Sequence, residues 1–437
     1  MALSTQPYKG ARDFYPEDRR LQKYLFSKMR TVTERFGYEE YDAPILEPIE
    51  LYMAKTGDEI VHEQTYVFQD RGGRTVTLRP EMTPSVSRMV AAKRQELQYP
   101  LRWYSIPNLW RYERPQHGRL REHWQLNVDI FGVKDASAEI EIIQIADAIL
   151  REFGATPDMY TIRLNSRKMM DFIMREDLKL SDVQAHTLSR LIDRRAKMPA
   201  DAFAAAVDAI FTPSQRDTGN SDRLLELLDM TRIEQLPEAL QRQPATQELK
   251  ELMATLEQSR IPNVIFDITL MRGLDYYTDI VFEVYDNHPD NNRSMFGGGR
   301  YDGLVGLFGV DPLPTVGFGM GDVTLRTFLE GHGLLPNLRS ETDVYVITIG
   351  QVYQQAQAAI QEMRELGLNV AVAPAGSKTD KQIKIAHKKG IHYVLFIGQK
   401  ELEKQQYTLR NLLTSQEEQH SIARIVSIIR DYRTTEA

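Results

Sequence analysis

Apolar and polar positions change their period several times along the chain. From Arg19 to Phe36 they recur at helical spacing, and Gly37 stops the run. From Tyr41 to about Gly132 short apolar runs alternate with Pro and Gly breaks (YDAPILEP, TYVFQD, RTVTLRP, LRWYSIP, HWQLNVDIFG), which predicts a mainly antiparallel sheet. A long helix over about Ala138–Phe153 and a strand MYTIRLN follow. The next ninety or so residues are rich in Ala, Leu, Asp, Arg and Glu, keep a helical period and carry no convincing strand, so they read as a helical insertion. Strand runs return in VIFDIT, IVFEVY and TVGFGMG, interleaved with the glycine run Gly297–Gly299. Beyond the loose stretch GHGLLPNLRSET, the runs DVYVITIG, NVAVAP and YVLFIG alternate with helical patterns, which predicts a small α/β domain with parallel strands.

A length of 437 residues exceeds one core and predicts roughly three domains. Apolar content of 42% with 26% charged residues fits a globular chain. No apolar run approaches the roughly 20 residues that span a bilayer, and the N-terminal stretch MALSTQPYKGARDFYPED lacks the basic and apolar regions of a secretory signal. Cytoplasm is therefore the expected location. The absence of cysteine excludes disulfides, cysteine–zinc sites and a thiol nucleophile, and the nine histidines are scattered without ligand spacing, so no protein metal cage is expected. The net charge of −7 does not announce a nucleic-acid partner, which would need a local basic surface. Lys378, Lys381, Lys384, Lys388 and Lys389 form one such concentration, although on a helix they do not make a single stripe.

The stretch from Arg102 to Gly132 carries the most chemistry. Its two ends read as strands joined by a Gly/Pro-bearing loop with Arg114, Arg119 and Arg121. Period-two geometry puts Trp124, Leu126, Val128 and Ile130 on one face and Gln125, Asn127 and Asp129 on the other, and it puts Arg111 beside Glu113. Alone, this also describes a half-solvated sheet with polar residues outward. Taken whole, the Arg-x-Glu-Arg-Pro start, the basic glycine loop and the polar-faced return strand resemble motif 2 of the class II aminoacyl-tRNA synthetases. That chemistry needs a substrate carboxylate to attack the α-phosphate of ATP, and a forked guanidinium steadies the negative charge of the transition state. Arg111 is the candidate. The resemblance further implies Glu113 at the adenine edge and Arg119 at the outer phosphates.

Two further blocks, Arg272-Gly-Leu-Asp-Tyr-Tyr-Thr and Gly298-Gly-Arg-Tyr-Asp-Gly, resemble signatures of the histidyl-tRNA synthetase family. A glycine triplet by itself reads as a bulge or turn; beside a pocket it would let the backbone approach a flat ligand. LRPEMTPSVSR and KGARDFYP resemble other stretches of that family, and FGYEEYDAPILEP resembles motif 1, whose proline (Pro44) would lie at a dimer interface. The resemblance spans essentially the whole chain. It implies an α+β fold, a class II antiparallel sheet flanked by helices, with a helical insertion and a C-terminal α/β anticodon-binding domain. The implied boundaries are catalytic core at 1–165 and 261–332, insertion at 166–260, linker at 333–341 and anticodon-binding domain at 342–437.

Carried over residue by residue, the family pattern places Glu81, Thr83 and Gln125 at the α-ammonium group of histidine. Asp129 and Tyr277 would bracket the imidazole nitrogens, with Tyr276 in the same pocket. Partners for both ring nitrogens reject apolar analogues, because those leave the site's own polar groups unpaired. Arg272 would face Arg111 across the α-phosphate as a second catalytic and ATP-binding cation. The implied substrates are L-histidine, ATP with Mg²⁺ and tRNA(His), acting in a homodimer without a membrane. The alternative is a non-catalytic, histidine-sensing subunit of ATP phosphoribosyltransferase, which would shed the phosphate-binding arginines and the anticodon-binding domain.

Two positions depart from the pattern. Asp129 stands where a glutamate is familiar, one methylene shorter. Motif 3 usually runs Gly-Leu-Glu-Arg with the arginine on the γ-phosphate, whereas here Gly321 is followed by Asp-Val-Thr, so Thr324 takes the arginine's place. If Asp322 caps a helix here, Arg326, two residues on, lies about 200° around its axis. Arg326 is therefore expected to point outward into a salt bridge.

Overall fold

A computed structural model describes residues 3–53, 64–114, 118–271, 276–291 and 293–435. The chain divides into two compact units, residues 1–335 and 336–437. In the first, the strands begin with β1 (Glu39–Glu40), β2 (Leu46–Pro48), β3 (Tyr66–Gln69), β4 (Thr75–Leu78), β5 (Leu101–Ser105) and β6 (Asn108–Trp110). They continue with β7 (Glu122–Phe131), β8 (Tyr160–Ser166), β9 (Val264–Phe266), β10 (Ile280–Asp286), β11 (Ser294–Arg300) and β12 (Thr315–Gly321).

Among the described residues nine strands form one sheet in the order β1-β5-β7-β12-β11-β10-β8-β9, with β6 also paired to β7. From β5 to β8 every neighbour is antiparallel, and the edge pairs β1·β5 and β8·β9 are parallel. The runs between Tyr41 and Gly132 serve two sheets, because β2, β4 and β3 pair among themselves as a separate antiparallel sheet.

Burial assigns the faces of the large sheet. Leu126, Val128 and Ile130 of β7 and Val316, Phe318 and Met320 of β12 are almost wholly buried. They share a core with Leu25, Met29 and Val32 from the helix Pro16–Arg35 and with Ile142, Ile145 and Ile149 from the helix Ser137–Glu152. Each such side chain contributes about 1.5–3 kcal/mol. The first helix opens on Pro16, whose missing N–H costs nothing at that position. Gly37, at φ +81°, turns the chain away after it.

The end of β11 is locked to the second of these helices. Arg300 donates from Nε and Nη2 to the two oxygens of Glu139 at 2.6 and 2.7 Å, and from Nη1 and Nη2 to the carbonyls of Val133 and Asp135, both at 3.0 Å.

The stretch between β8 and β9 is helical throughout, including Asp182–Asp193, Ala200–Ile210, Asn220–Leu228 and Pro244–Gln258. Ser181 and Thr212 open helices through capping boxes with Gln184 and Gln215. Leu188, Leu224, Leu249 and Leu252 reach the same core as the sheet.

The second unit holds β13 (Val344–Thr348), β14 (Val370–Val372), β15 (Tyr393–Ile397), β16 (Tyr407–Asn411) and β17 (Glu417–His420), ordered β14-β13-β15-β16-β17. The expected parallel strands are the first three; β16 and β17 add an antiparallel edge. Glu417–His420 has no apolar position, so no hydrophobic period could announce it. Helices Gln357–Glu365 and Ile422–Thr435 cover one face and Thr379–Lys388 the other. Lys378, Lys381, Lys384, Lys388 and Lys389 are all exposed. No described helix is long and apolar enough to cross a membrane.

Candidate active site

The face of the large sheet opposite the helices is built from a register of polar residues against glycines. Gln125, Asn127 and Asp129 of β7 lie beside Gly321, Gly319 and Gly317 of β12, and Gly319 and Gly317 lie beside Gly297 and Gly299 of β11. The glycines are a spatial requirement. A Cβ on Gly317 would fall 2.1 Å from Asp129 Oδ1, and one on Gly319 would fall 2.8 Å from the Gln125 amide. The β7 side chains thus lie flat across their neighbour strand. The glycine run is correspondingly strand rather than turn, because Cβ atoms on Gly297, Gly298 and Gly299 would meet the carbonyls of Phe282, Gly317 and Ile280 within 2.6 Å.

Two adjoining cavities open on this floor. The larger, about 200 Å³, is lined by Arg111, Glu113, Arg119, His123, Phe296 and Thr324 among others. The smaller, about 90 Å³, is lined by Glu81, Thr83, Asp129, Tyr276, Tyr277 and Tyr301 among others. Arg111, Gln125 and Gly319 line both. Strand β6 ends at Trp110, so the predicted strand geometry of Arg111 and Glu113 does not apply; the ladder gives way to a bond from Arg111 N to Arg121 O at 2.9 Å. Both residues reach the larger cavity from the segment that follows β6. Arg111 Nε donates to Pro80 O at 2.9 Å, which aims the guanidinium. Arg119 is mostly exposed, 4.0 Å from the Glu113 carboxylate.

The smaller cavity is dense in hydroxyls and carboxylates. Tyr276 donates to Glu81 Oε2 at 3.2 Å and lies 3.4 Å from Thr83 Oγ1. Tyr301 donates to Asp129 Oδ1. Burial pushes the Asp129 carboxyl up to about 7, and the Tyr301 bond opposes that shift. Burial, with Glu81 and other acidic neighbours, raises the Tyr276 and Tyr277 phenols, so both remain protonated donors. In the larger cavity His123 is pushed down to about 3 by burial and by the nearby cations Arg111 and Arg12, so it is a neutral imidazole.

The structure therefore brings together Glu81, Thr83, Gln125, Asp129, Tyr276 and Tyr277 at one cavity and Arg111, Glu113 and Arg119 at its neighbour. Arg272 lies outside the described residues. Arg326 is absent from both linings; it donates to Glu330 at 2.7 Å, one turn along its own helix, and stands 3.7 Å from Asp18. Asp322 does not cap that helix. Gly321 holds the capping position, and the Asp322 carboxylate accepts from Trp124 N at 2.9 Å and Arg12 at 2.7 Å. Sequence reasoning gave no site role to Tyr301 or His123, and met Thr324 only as the residue standing where the motif 3 arginine is usual. Alternation along β7 from Gln125 back to His123 was the available signal for one of them.

A largely antiparallel sheet with a glycine-backed polar strand, two cavities meeting at one arginine, and a second compact unit with its own mixed sheet fit the class II aminoacyl-tRNA synthetases. The family model for histidyl-tRNA synthetase matches residues 10–323, and that for the anticodon binding domain matches 343–432. The chain is 43% identical over 412 residues to a histidine–tRNA ligase of Leptospira biflexa, covering 94% of each, and 37% identical over 417 residues to one of Thermoplasma volcanium, covering 95% of this chain and 96% of that one. Its fold is similar to the crystal structure of histidyl-tRNA synthetase from Nostoc sp. PCC 7120, with a TM-score of 0.82, 21% identity and coverage of 99% and 100%. This chain belongs to the histidyl-tRNA synthetase family.

Proposed function

We propose that the chain activates L-histidine with ATP and transfers the histidyl group to tRNA(His). The observation that carries this reading is the position of Arg111, shared between a cavity suited to a nucleotide and one suited to a small polar amino acid. Histidine would place its α-ammonium group among Glu81, Thr83 and Gln125, with Tyr276 holding Glu81, and its imidazole between Asp129 and Tyr277. ATP would enter as its Mg²⁺ complex, the cation bound through phosphate oxygens, with Glu113 at the base and Arg119 at the outer phosphates. The histidine carboxylate attacks the α-phosphorus as the bond to the bridging oxygen breaks and diphosphate leaves. Arg111 steadies the charge that develops there, with Arg272 as the second cation that the family resemblance implies. A ribose hydroxyl at the 3′ end of the tRNA then attacks the activated carbonyl and AMP departs. The exposed lysines of the second unit support contact with RNA phosphates. Exposed Ile45 and Leu46, which follow Pro44, with exposed Val67 and Phe68 on β3 of the same small sheet, support a homodimer. We place the enzyme in the cytoplasm.

A histidine sensor remains the second reading, but the anticodon-binding match at 343–432 and the retained Arg111 and Arg119 disfavour it. Amino-acid-dependent ATP–diphosphate exchange across all twenty amino acids, followed by histidine transfer to tRNA, separates the two. Exchange with histidine alone is expected; histidine binding without exchange would establish the sensor.

Two variants probe the pocket. Arg326→Ala should leave the ATP Michaelis constant within about twofold, since the side chain serves surface ion pairs with Glu330 and Asp18; a large rise would return Arg326 to the nucleotide site. Gly317→Ala should raise the histidine Michaelis constant by roughly tenfold or more, the added carbon displacing the Asp129 carboxylate. An unchanged constant would show that the carboxylate moves without consequence.

A further inference from the structure

Tyr301 follows directly on β11, and its ring is packed edge-on against Tyr276 at 5.4 Å and against Tyr277 at 6.4 Å. Its residue is buried, so the hydroxyl has little recourse to water. That hydroxyl donates to Asp129 Oδ1, the oxygen that a Cβ on Gly317 would strike. The carboxylate is thus held on one side by a bond and supported below by a residue without a side chain. Among the described residues Oδ2 has no hydrogen-bond partner, and Asp129 lines the smaller cavity.

We propose that Tyr301 is the positioning residue for histidine selectivity: by occupying Oδ1 it fixes the Asp129 carboxylate so that Oδ2 alone meets the N–H of the ligand's imidazole. This inference rests on the reading of Asp129 as an imidazole partner. An aspartate has one rotatable bond fewer than a glutamate, and with Oδ1 engaged it cannot turn to follow a misplaced donor. A single fixed acceptor rewards one ring geometry and penalises ligands that leave it unpaired. The bond also favours the charged carboxylate against the burial that pushes it toward 7. The titratable groups that interact with Asp129 are Tyr301, Tyr277, Tyr41 and Tyr38, all phenols with raised pKa, while Glu81 and Arg111 line the same cavity. The carboxylate's own titration therefore has a visible place in the pH profile.

The test is a cycle of Tyr301→Phe, Asp129→Asn and the double variant, read by ATP–diphosphate exchange with histidine and ATP varied in turn. Tyr301→Phe should raise the histidine Michaelis constant by roughly tenfold, the loss of a hydrogen bond to a charged group, and leave that for ATP within about twofold. The limb on which histidine affinity improves as Asp129 ionises should move to higher pH. In the Asp129→Asn background the second change should add little, because Tyr301 acts through the carboxylate. A wild-type histidine constant in Tyr301→Phe, or an equal penalty in both backgrounds, would overturn the proposal. If Asp129→Asn alone leaves histidine use unchanged, the underlying assignment of Asp129 fails, and Tyr301 with it. Should Tyr301→Phe not fold, a fluorotyrosine at 301 keeps the ring and makes the hydroxyl more acidic. It should lower the pH of that limb, and an unmoved limb would count against the proposal.

Discussion

Arg111→Ala is expected to reduce histidine-dependent ATP–diphosphate exchange by about 10²–10³-fold, the usual cost of removing one preorganised donor from developing charge. The guanidinium lines both cavities and is aimed by its Nε bond to Pro80 O, so its remaining N–H groups face the space the two share. Losing it leaves one carbonyl at the edge of an open cavity, which water can reach, so the fold should be spared. Circular dichroism and the thermal midpoint should match the parent, and histidine should still bind. Arg111→Lys should fall between the two, since a lysine restores charge but not the fork. Exchange at the parent rate in Arg111→Ala would remove this residue from the mechanism.

The largest effect on stability is expected at Arg300. Both partners of its pair with Glu139 are buried, at 4% and 2% side-chain exposure, and the pair joins β11 to the helix Ser137–Glu152. Arg300→Ala leaves the carboxylate and two carbonyls without their donors and should cost about 3–5 kcal/mol. Chemical denaturation of the purified variant measures it. Burial already raises the Glu139 carboxyl, and Arg300 is what opposes that shift. Without the guanidinium the folded-state pKa rises further above the unfolded one, so the variant loses stability as pH increases through that interval. The gap from the parent should therefore narrow as pH falls from about 8 toward 5. A double change, Arg300→Met with Glu139→Leu, should recover much of the loss, because it removes both charges from the interior. A small, pH-independent loss in Arg300→Ala would show that water reaches Glu139.

Much of the fold was legible because its signals are local. The period of 3.6 before Gly37, the alternation along β7 and the mostly apolar runs of β13 and β15 each report one face or two faces in contact with a core. The edge strand Glu417–His420 was silent because its side chains contact no core, so the hydrogen-bonding partner alone makes it a strand. The split of the Tyr41–Gly132 runs into two sheets was equally hidden, since alternation reports a strand and not its neighbour.

The sequence by itself carried the family motifs that imply the class of catalyst and the residue types at the pocket, and its strand period marked the polar face of β7, because both are properties of the chain. Only the tertiary structure decided that Gln125 and Asp129 lie over glycines of β12, that Arg111 belongs to two cavities at once, and that Asp129 is held by a tyrosine 172 residues away. Those relations depend on register between strands distant in sequence. Register is set by the packing of the whole sheet, and no window along the chain contains it.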